Sequence, residues 1–228
     1  MGIHDGHRSR IRERFTEHGL DSFNDINALE LLLFYSIPRK DTNEIAHRLL
    51  EHFGSLHEVF NASVEELMDV PGISYNSAVL VSLIPQMMKK CEISRTKDIK
   101  CINSSSDAAS FLIPRFMNEQ DEILLMLCLD NKRGIICCKE VSRGTVDSVD
   151  ASSRKIAELA LKQKAVSVII SHNHPGGIVV PSHEDDFVTK SIYKALHAVG
   201  IELEDHIIVV DEKYFSFAHE GFMGMMRY

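Results

Sequence analysis

The sequence lacks the features of membrane-spanning, secreted and disulfide-linked proteins. No apolar run reaches the roughly 18 residues that a membrane-spanning helix needs. Residues 1–5 contain no apolar segment behind a basic one, so no secretory signal is visible. The five cysteines are an odd number with no disulfide pattern, which is typical of a reducing compartment. We therefore expect a soluble, cytoplasmic protein that binds no membrane and keeps its thiols free.

Basic residues are also too few to form an evident positive surface. The chain carries a net charge of −8, from 25 Lys and Arg against 33 Asp and Glu. Residues 1–100 contain 12 basic and 15 acidic side chains, and residues 101–228 contain 13 and 18. Because nucleic-acid-binding proteins usually show a basic footprint, the charge argues mildly against DNA as an obligate partner.

The length and hydrophobic content favour two small domains. The chain has 228 residues, 44% of them hydrophobic, which is enough for two packed cores. We predict a basic arm at 1–20, a helical domain at 21–90, a polar linker without periodicity at 91–106 and a metal-binding domain at 107–228. In the arm, Arg8, Arg10, Arg12 and Arg14 have even spacing, which predicts a solvated, partly frayed helix or, alternatively, a docking arm for an acidic partner.

Apolar residues in the N-terminal half recur at helical spacing. They predict helices over 27–37, from 41 to about 54, over 63–68 and over 76–90. The break at Pro71-Gly72-Ile73 predicts a helix-hairpin-helix, whose backbone amides can hold a DNA phosphate, or an ordinary hairpin of two helices. DNA bound through this domain is therefore one expected partner, although few basic residues lie beside the turn.

The C-terminal half alternates between strand and helix patterns. Strands are predicted over 122–130, 134–141, 165–170, 207–210 and 214–218, and helices over 107–117, 152–164 and 187–199. The expected fold class is α+β, with a small all-α domain followed by an α/β domain that has a mostly antiparallel, mixed sheet.

The strongest motif follows the predicted strand at 165–170. His172 and His174 leave its end two residues apart, so in extended backbone their imidazoles face the same side. Their Cα atoms then lie about 6–7 Å apart, close enough to share one cation. Two metal ligands are thus predicted from local geometry.

A third ligand is predicted at the start of the next helix. Pro175-Gly176-Gly177 favours a turn, and Ser182 with Asp185 has the spacing of a helix cap, which swings Asp185 back toward the histidines. Two imidazoles and one carboxylate leave the fourth tetrahedral position for water, as in catalytic zinc sites. The alternative is that Ser182 and Asp185 form only a capping box.

These residues resemble the JAMM/MPN metalloenzyme signature of histidine-x-histidine-proline and serine-x-x-aspartate, and in particular its bacterial RadC-like branch. Five further segments resemble that branch: Gly6-His7-Arg8, Phe53-Gly54-Ser55-Leu56, Val70-Pro71-Gly72-Ile73, Arg143-Gly144-Thr145 and Asp205-His206-Ile207-Ile208-Val209. The chain departs from the branch at Ser153-Arg154-Lys155, where proline-arginine-glutamate is usual, and at Ser74, where a second hairpin glycine is usual.

The resemblance implies a JAMM/MPN-type, cytidine-deaminase-like fold that holds Zn²⁺ through His172, His174 and Asp185. It implies hydrolysis of a peptide or isopeptide amide in a protein substrate by metal-bound hydroxide. Glu122 matches the glutamate that carries the proton, with Glu119 and Asp121 as rivals, and Ser182 matches the serine that bonds the oxyanion. Asp205 and His206 are candidates for orienting a ligand imidazole or, equally, a satisfied core pair. The competing function is a DNA-associated binding protein whose metal domain is not catalytic.

Overall fold

The computed structural model describes residues 3–144 and 149–225, so Thr145 of the Arg143-Gly144-Thr145 segment lies outside the described part. The chain divides into two compact units, Met1–Met88 and Lys89–Tyr228. Helices precede a mixed sheet flanked by helices, which confirms the predicted α+β class. The helices are α1 (Ile3–His18), α2 (Asp25–Leu33), α3 (Asn43–Phe53), α4 (Leu56–Asn61), α5 (Val64–Met68), α6 (Tyr75–Arg95), α7 (Ser105–Phe116), α8 (Val149–Lys162), α9 (His183–Ala198) and α10 (Phe222–Met225). The strands are β1 (Ile123–Leu129), β2 (Ile135–Arg143), β3 (Ser167–Asn173), β4 (Glu202–Val210) and β5 (Lys213–Ser216). None of the helices in the described ranges combines the length and apolar character needed to cross a membrane.

The N-terminal arm is a continuous helix that packs on α2, which corrects the predicted fraying, while most of its described side chains are exposed, as predicted for a solvated helix. Arg8 donates to the carbonyls of Ile37 and Lys40 at 2.7 and 2.6 Å, and Ile11 of α1 is buried in a small apolar cluster with α2. The guanidinium groups of Arg8 and Arg12 lie 4.6 and 5.6 Å from the centre of one phenylalanine ring. The prediction overlooked that residues four apart share a helix face, so the even spacing places these two arginines together.

The rest of the first unit is a small helical bundle. Its core is formed by α2, α3 and the helices that follow, and α4 was not predicted because six residues are too short to show a helical period. Helix α5 lies within the helix predicted over 63–68, and Ser63 and Glu66 form a reciprocal capping box at its start. Gly72 has a φ of 104° in the turn before α6, and Ser74 accepts a bond from Ser77 N at 3.3 Å. Ser74 thus accepts the hydrogen bond of one backbone amide at the start of α6, so this amide is not available to a phosphate. DNA binding at this turn stays a prediction.

The segment 91–106 has regular structure, which corrects its description as a linker without periodicity. Helix α6 continues to Arg95, a 3-10 turn follows at Thr96–Asp98, and Cys101 forms a β-bridge with Gly134. Ile102 is fully buried in the core beneath α7. The burial of Ile102 could not be predicted from the sequence, because a single buried residue in a polar segment shows no period.

The second unit places a five-stranded sheet between two helical layers. The strand order is β2-β1-β3-β4-β5, and only the β3 and β4 pair is parallel, which confirms the predicted mixed sheet. Strands β1 and β3 are buried on both faces, because α8 and α9 cover one face and α7 covers the other. Alternate residues of β3 therefore point into different cores.

Two side chains at the unusual 153–155 segment join α8 to its neighbours. Ser153 Oγ lies 2.9 Å from Ser191 Oγ of α9, and the Lys155 ammonium donates to the carbonyl of Val141 in β2. At the segment that departs from the branch pattern, α8 is therefore hydrogen-bonded both to α9 and to β2.

Candidate metal centre

Strand β3 positions the two histidines at its C-terminal end. His172 lies within the strand, and His174 follows one residue beyond its end. In the antiparallel pairing with β1, His172 lies opposite Leu124, whose side chain belongs to the core under α8 and α9. Residues two apart on a strand share a face, so both imidazoles lie on the side of the sheet that α9 covers. Their ring centres are 4.7 Å apart.

Helix α9 brings the carboxylate of Asp185 to the same place. Ser182 caps the helix, with its Oγ accepting from Asp185 N at 3.1 Å, while Ser182 N donates to Asp185 Oδ2 at 2.6 Å. The hydroxyl of Ser182 also donates to Oδ2 at 2.7 Å. Oδ2 is thus used by the cap, and Oδ1 faces His172 Nε2 at 3.0 Å. The capping box and the cluster with the histidines coexist, so the two interpretations of this pair are compatible.

The three predicted ligands converge. His172 Nε2 lies 2.8 Å from His174 Nε2, which is 3.6 Å from Asp185 Oδ2, and one donor atom of each residue lies within 4.8 Å of the others. His174 Nδ1 lies 3.2 Å from the carbonyl of Ile178, which can only accept, so this hydrogen bond needs a proton on Nδ1 and, in the neutral ring, leaves the Nε2 lone pair for a metal. Two imidazole nitrogens and a carboxylate oxygen are the donor set of a catalytic zinc site. The residues present therefore fit this ion.

The surroundings keep the carboxylate charged and the nearby His206 neutral. Burial alone would raise the pKa of Asp185, but the neighbouring His172 and the hydrogen bonds from Ser182 outweigh it and hold that pKa below its usual value. Burial, reinforced by the neighbouring His172, lowers the pKa of His206 well below its usual value. The ionised carboxylate is the form in which an aspartate acts as a metal ligand.

Glu122 lies beside this cluster. Glu122 directly precedes β1, at the end of the sheet where Leu124 lies opposite His172. Glu122 is exposed, and its carbonyl accepts from Gly144 N at 2.9 Å. Within the described ranges, it is outside the group of three residues whose donor atoms converge.

The rivals of Glu122 have other partners. Glu119 forms ion pairs with Arg143, at 2.5 Å, and with Lys89. Burial raises the pKa of Glu119, but its hydrogen bonds to Arg143 and Lys89 outweigh burial and hold that pKa below its usual value. This carboxylate is therefore a poor proton acceptor at neutral pH. Asp121 is exposed and lies 3.8 Å from Arg143. The structure therefore disfavours Glu119 and leaves Asp121 as the remaining alternative.

Two polar residues near the site were missed from sequence, and one candidate is placed elsewhere. Asn173, treated as a spacer between the histidines, accepts from Ile123 N at 2.8 Å and donates to the carbonyl of Asp121 at 2.9 Å. Thr189 is fully buried on α9 and contacts His206. A polar residue in an apolar strand was the available signal for Asn173, since buried polar groups are paired. Asp205 is turned to the other face, where it bonds Ser105 and Ser216.

We predict that Ser182→Ala lowers the free energy of unfolding by about 0.5–2 kcal/mol, because the start of α9 loses its cap. The matched variant Ser182→Asn can cap through its amide oxygen and should restore stability in urea denaturation. If the hydroxyl also stabilises the oxyanion, both variants lose about 10²–10³-fold in cleavage rate. A Ser182→Asn protein that cleaves at the parent rate would limit Ser182 to its capping role.

Comparison with known proteins agrees with the fold and the motif. The family described as RadC-like JAB domain matches residues 102–222, and the family described as UPF0758 N-terminal matches residues 6–79. A UPF0758 protein of Fusobacterium nucleatum subsp. nucleatum is 37% identical over 223 residues, covering 95% of this chain and 96% of that protein. A UPF0758 protein of Ruegeria pomeroyi is 34% identical over 217 residues, covering 95% of this chain and 97% of that protein. These matches confirm the predicted resemblance, and the chain belongs to the RadC-like JAB domain family, with a UPF0758 N-terminal domain ahead of the JAB domain.

Proposed function

We propose that this chain is a zinc-dependent hydrolase that cleaves a peptide or isopeptide amide. The observation that carries the proposal is the convergence of His172 Nε2, His174 Nε2 and a carboxylate oxygen of Asp185 on one point. Fold alone does not establish activity. The donor set, and an exposed acid at the same end of the sheet, support it independently of the family.

The three ligands would hold Zn²⁺ with one position left for reactants. When bound, Zn²⁺ lowers the pKa of a coordinated water to about 7 and polarises the scissile carbonyl. Asp185 contributes the negative charge of the site through Oδ1, since its Oδ2 is used by Ser182 N and Oγ. The buried His172 fixes the inner wall of the site, and the more exposed His174 lies at its entrance.

Glu122 would carry the proton. Its exposed carboxylate, at the start of β1, can accept a proton from the attacking water and then donate it to the departing amine. Ser182 Oγ can turn from Asp185 Oδ2 toward the oxyanion of the tetrahedral intermediate, because Ser182 N still bonds Oδ2 in its absence.

A peptide library offers the direct test of this function. We expect the purified full-length protein to cleave a subset of peptides or isopeptide-linked conjugates, and a chelator followed by zinc should abolish and then restore cleavage. The double variant His172→Ala/His174→Ala should contain no stoichiometric zinc by elemental analysis and cleave nothing, because it keeps only one of three ligands.

The matched control is His183→Ala/His197→Ala, which removes two exposed histidines of α9. This variant should keep zinc and cleavage. Stoichiometric zinc in the His172→Ala/His174→Ala protein would place the metal elsewhere. Cleavage that survives complete removal of zinc would contradict the metal-dependent reaction.

A further inference from the structure

A chain of buried hydrogen bonds leads from α9 through β4 to His172. Thr189 Oγ1 lies 2.5 Å from the backbone carbonyl oxygen of Asp185 and 2.6 Å from His206 Nδ1. His206 Nε2 in turn lies 2.8 Å from His172 Nδ1. Thr189, His206 and His172 are each at most 4% exposed, so solvent has little access to these contacts.

The direction of each hydrogen bond follows from the carbonyl of Asp185 at the start of the chain. A carbonyl oxygen has no proton, so the Thr189 hydroxyl must donate to Asp185 O, and its oxygen can then only accept from His206. His206 therefore carries its proton on Nδ1, and as a neutral imidazole it has a bare Nε2. That nitrogen must accept from His172, which places the His172 proton on Nδ1 and leaves the Nε2 lone pair facing His174 and Asp185.

The opposite set of protons is disfavoured by burial. A proton on His206 Nε2 would leave its Nδ1 lone pair 2.6 Å from a Thr189 oxygen whose proton is already used. A buried polar group without its hydrogen bond costs about 1–3 kcal/mol. The ring of His206 is also stacked on Phe217 with centres 4.9 Å apart, which restrains it from rotating toward other partners.

We propose that Thr189 and His206 are positioning residues that fix the tautomer of His172, so that its Nε2 lone pair points at the metal. This inference rests on the proposed zinc site. The contacts form a circuit that begins and ends at Asp185: its carbonyl accepts from Thr189, and its carboxylate lies 3.0 Å from the bare Nε2 of His172, where the metal would complete the circuit. One turn of α9 thus positions two of the three ligands.

The pair Thr189→Val and Thr189→Ser tests the hydroxyl at nearly constant shape. Loss of a partner behind a metal ligand typically costs about 10–100-fold in metal affinity. We expect that loss for Thr189→Val and near-parent affinity for Thr189→Ser, measured on the full-length protein by zinc competition with a chromophoric chelator. Similar melting of the two zinc-free variants would assign the difference to the hydroxyl and not to packing.

The tautomer of His206 is a second and direct readout. In the zinc-loaded parent protein, ¹⁵N NMR of the imidazoles should show His206 protonated at Nδ1 and bare at Nε2. His206→Gln, whose side-chain oxygen can accept at the place of Nε2, should keep more zinc affinity than His206→Leu.

A parent protein with His206 protonated at Nε2 overturns the proposal, and so does a Thr189→Val protein with parent affinity. If Thr189→Val does not fold, the NMR result on the parent protein decides alone. Neither readout needs a substrate, so a protein that binds zinc through this circuit and cleaves nothing would contradict the proposed hydrolase and leave the inference standing.

Discussion

Replacement of Glu122 by Gln is expected to lower the cleavage rate by about 10²–10⁴-fold while zinc content and fold stay unchanged. A general base acts on the attacking water and not on the ion, so its loss does not weaken the metal site. Glu122 is exposed and outside the converging group of His172, His174 and Asp185, so neither packing nor coordination should suffer. The measurement is the rate on the best peptide of the library, with elemental zinc determined on the same sample.

The neighbouring acids serve as matched controls. Asp121→Asn removes the remaining rival and should cleave at nearly the parent rate. Glu119→Gln should affect stability more than rate, since Glu119 is paired with Arg143 and Lys89. Parent activity in Glu122→Gln, together with a large loss in Asp121→Asn, would move the role of base to Asp121. Loss of zinc in Glu122→Gln would mean that Glu122 is itself close to the metal.

Replacement of Asp185 by Ala should reduce zinc binding and cleavage together. It leaves two protein donors, so the loss of zinc affinity should exceed the roughly 10–100-fold that removal of an outer partner costs. Chelator competition measures the affinity, and rates at increasing zinc show how much of the activity is recovered. The variant also loses the acceptor for Ser182 N and Oγ, and its helix start should be weaker.

Glu184→Ala is the control for Asp185→Ala. Glu184 is exposed in the same first turn of α9 and carries the same charge, so its loss reproduces the change at the positive end of the helix dipole. We expect parent zinc affinity in Glu184→Ala. An equal loss in both variants would mean that negative charge near the helix start, and not coordination by Asp185, holds the ion.

The candidate site was largely predictable because its ligands are local in sequence. His172 and His174 follow from the period of a strand, and Asp185 follows from a turn and a helix cap. Thr189 and His206 could not be connected in this way. They lie on different elements, α9 and β4, and nothing in either segment shows that their side chains meet until the sheet order is known.

The bounds of a strand were predictable where the strand contains only apolar residues. Strand β1 is uniformly apolar and was found within one residue at each end, whereas β4 was predicted to begin at 207 and begins at Glu202. The acidic start of β4 concealed it. Glu204 is paired with Arg133 at 2.5 Å and with Ser167, contacts that come from distant parts of the chain. Such pairing makes a charged residue compatible with a strand but leaves no local signal.

Asn173 makes the histidine motif dependent on the strand beside it. Its side chain hydrogen-bonds the backbone on both sides of Glu122, at Asp121 and at Ile123. This one residue, whose side chain points away from the metal, therefore fixes the position of the acid relative to the ligands. A designer who moved only the two histidines and the carboxylate to another sheet would transfer the coordination without the placement of the acid. The smallest portable unit therefore adds to the three ligands the asparagine of β3 and the first residues of β1.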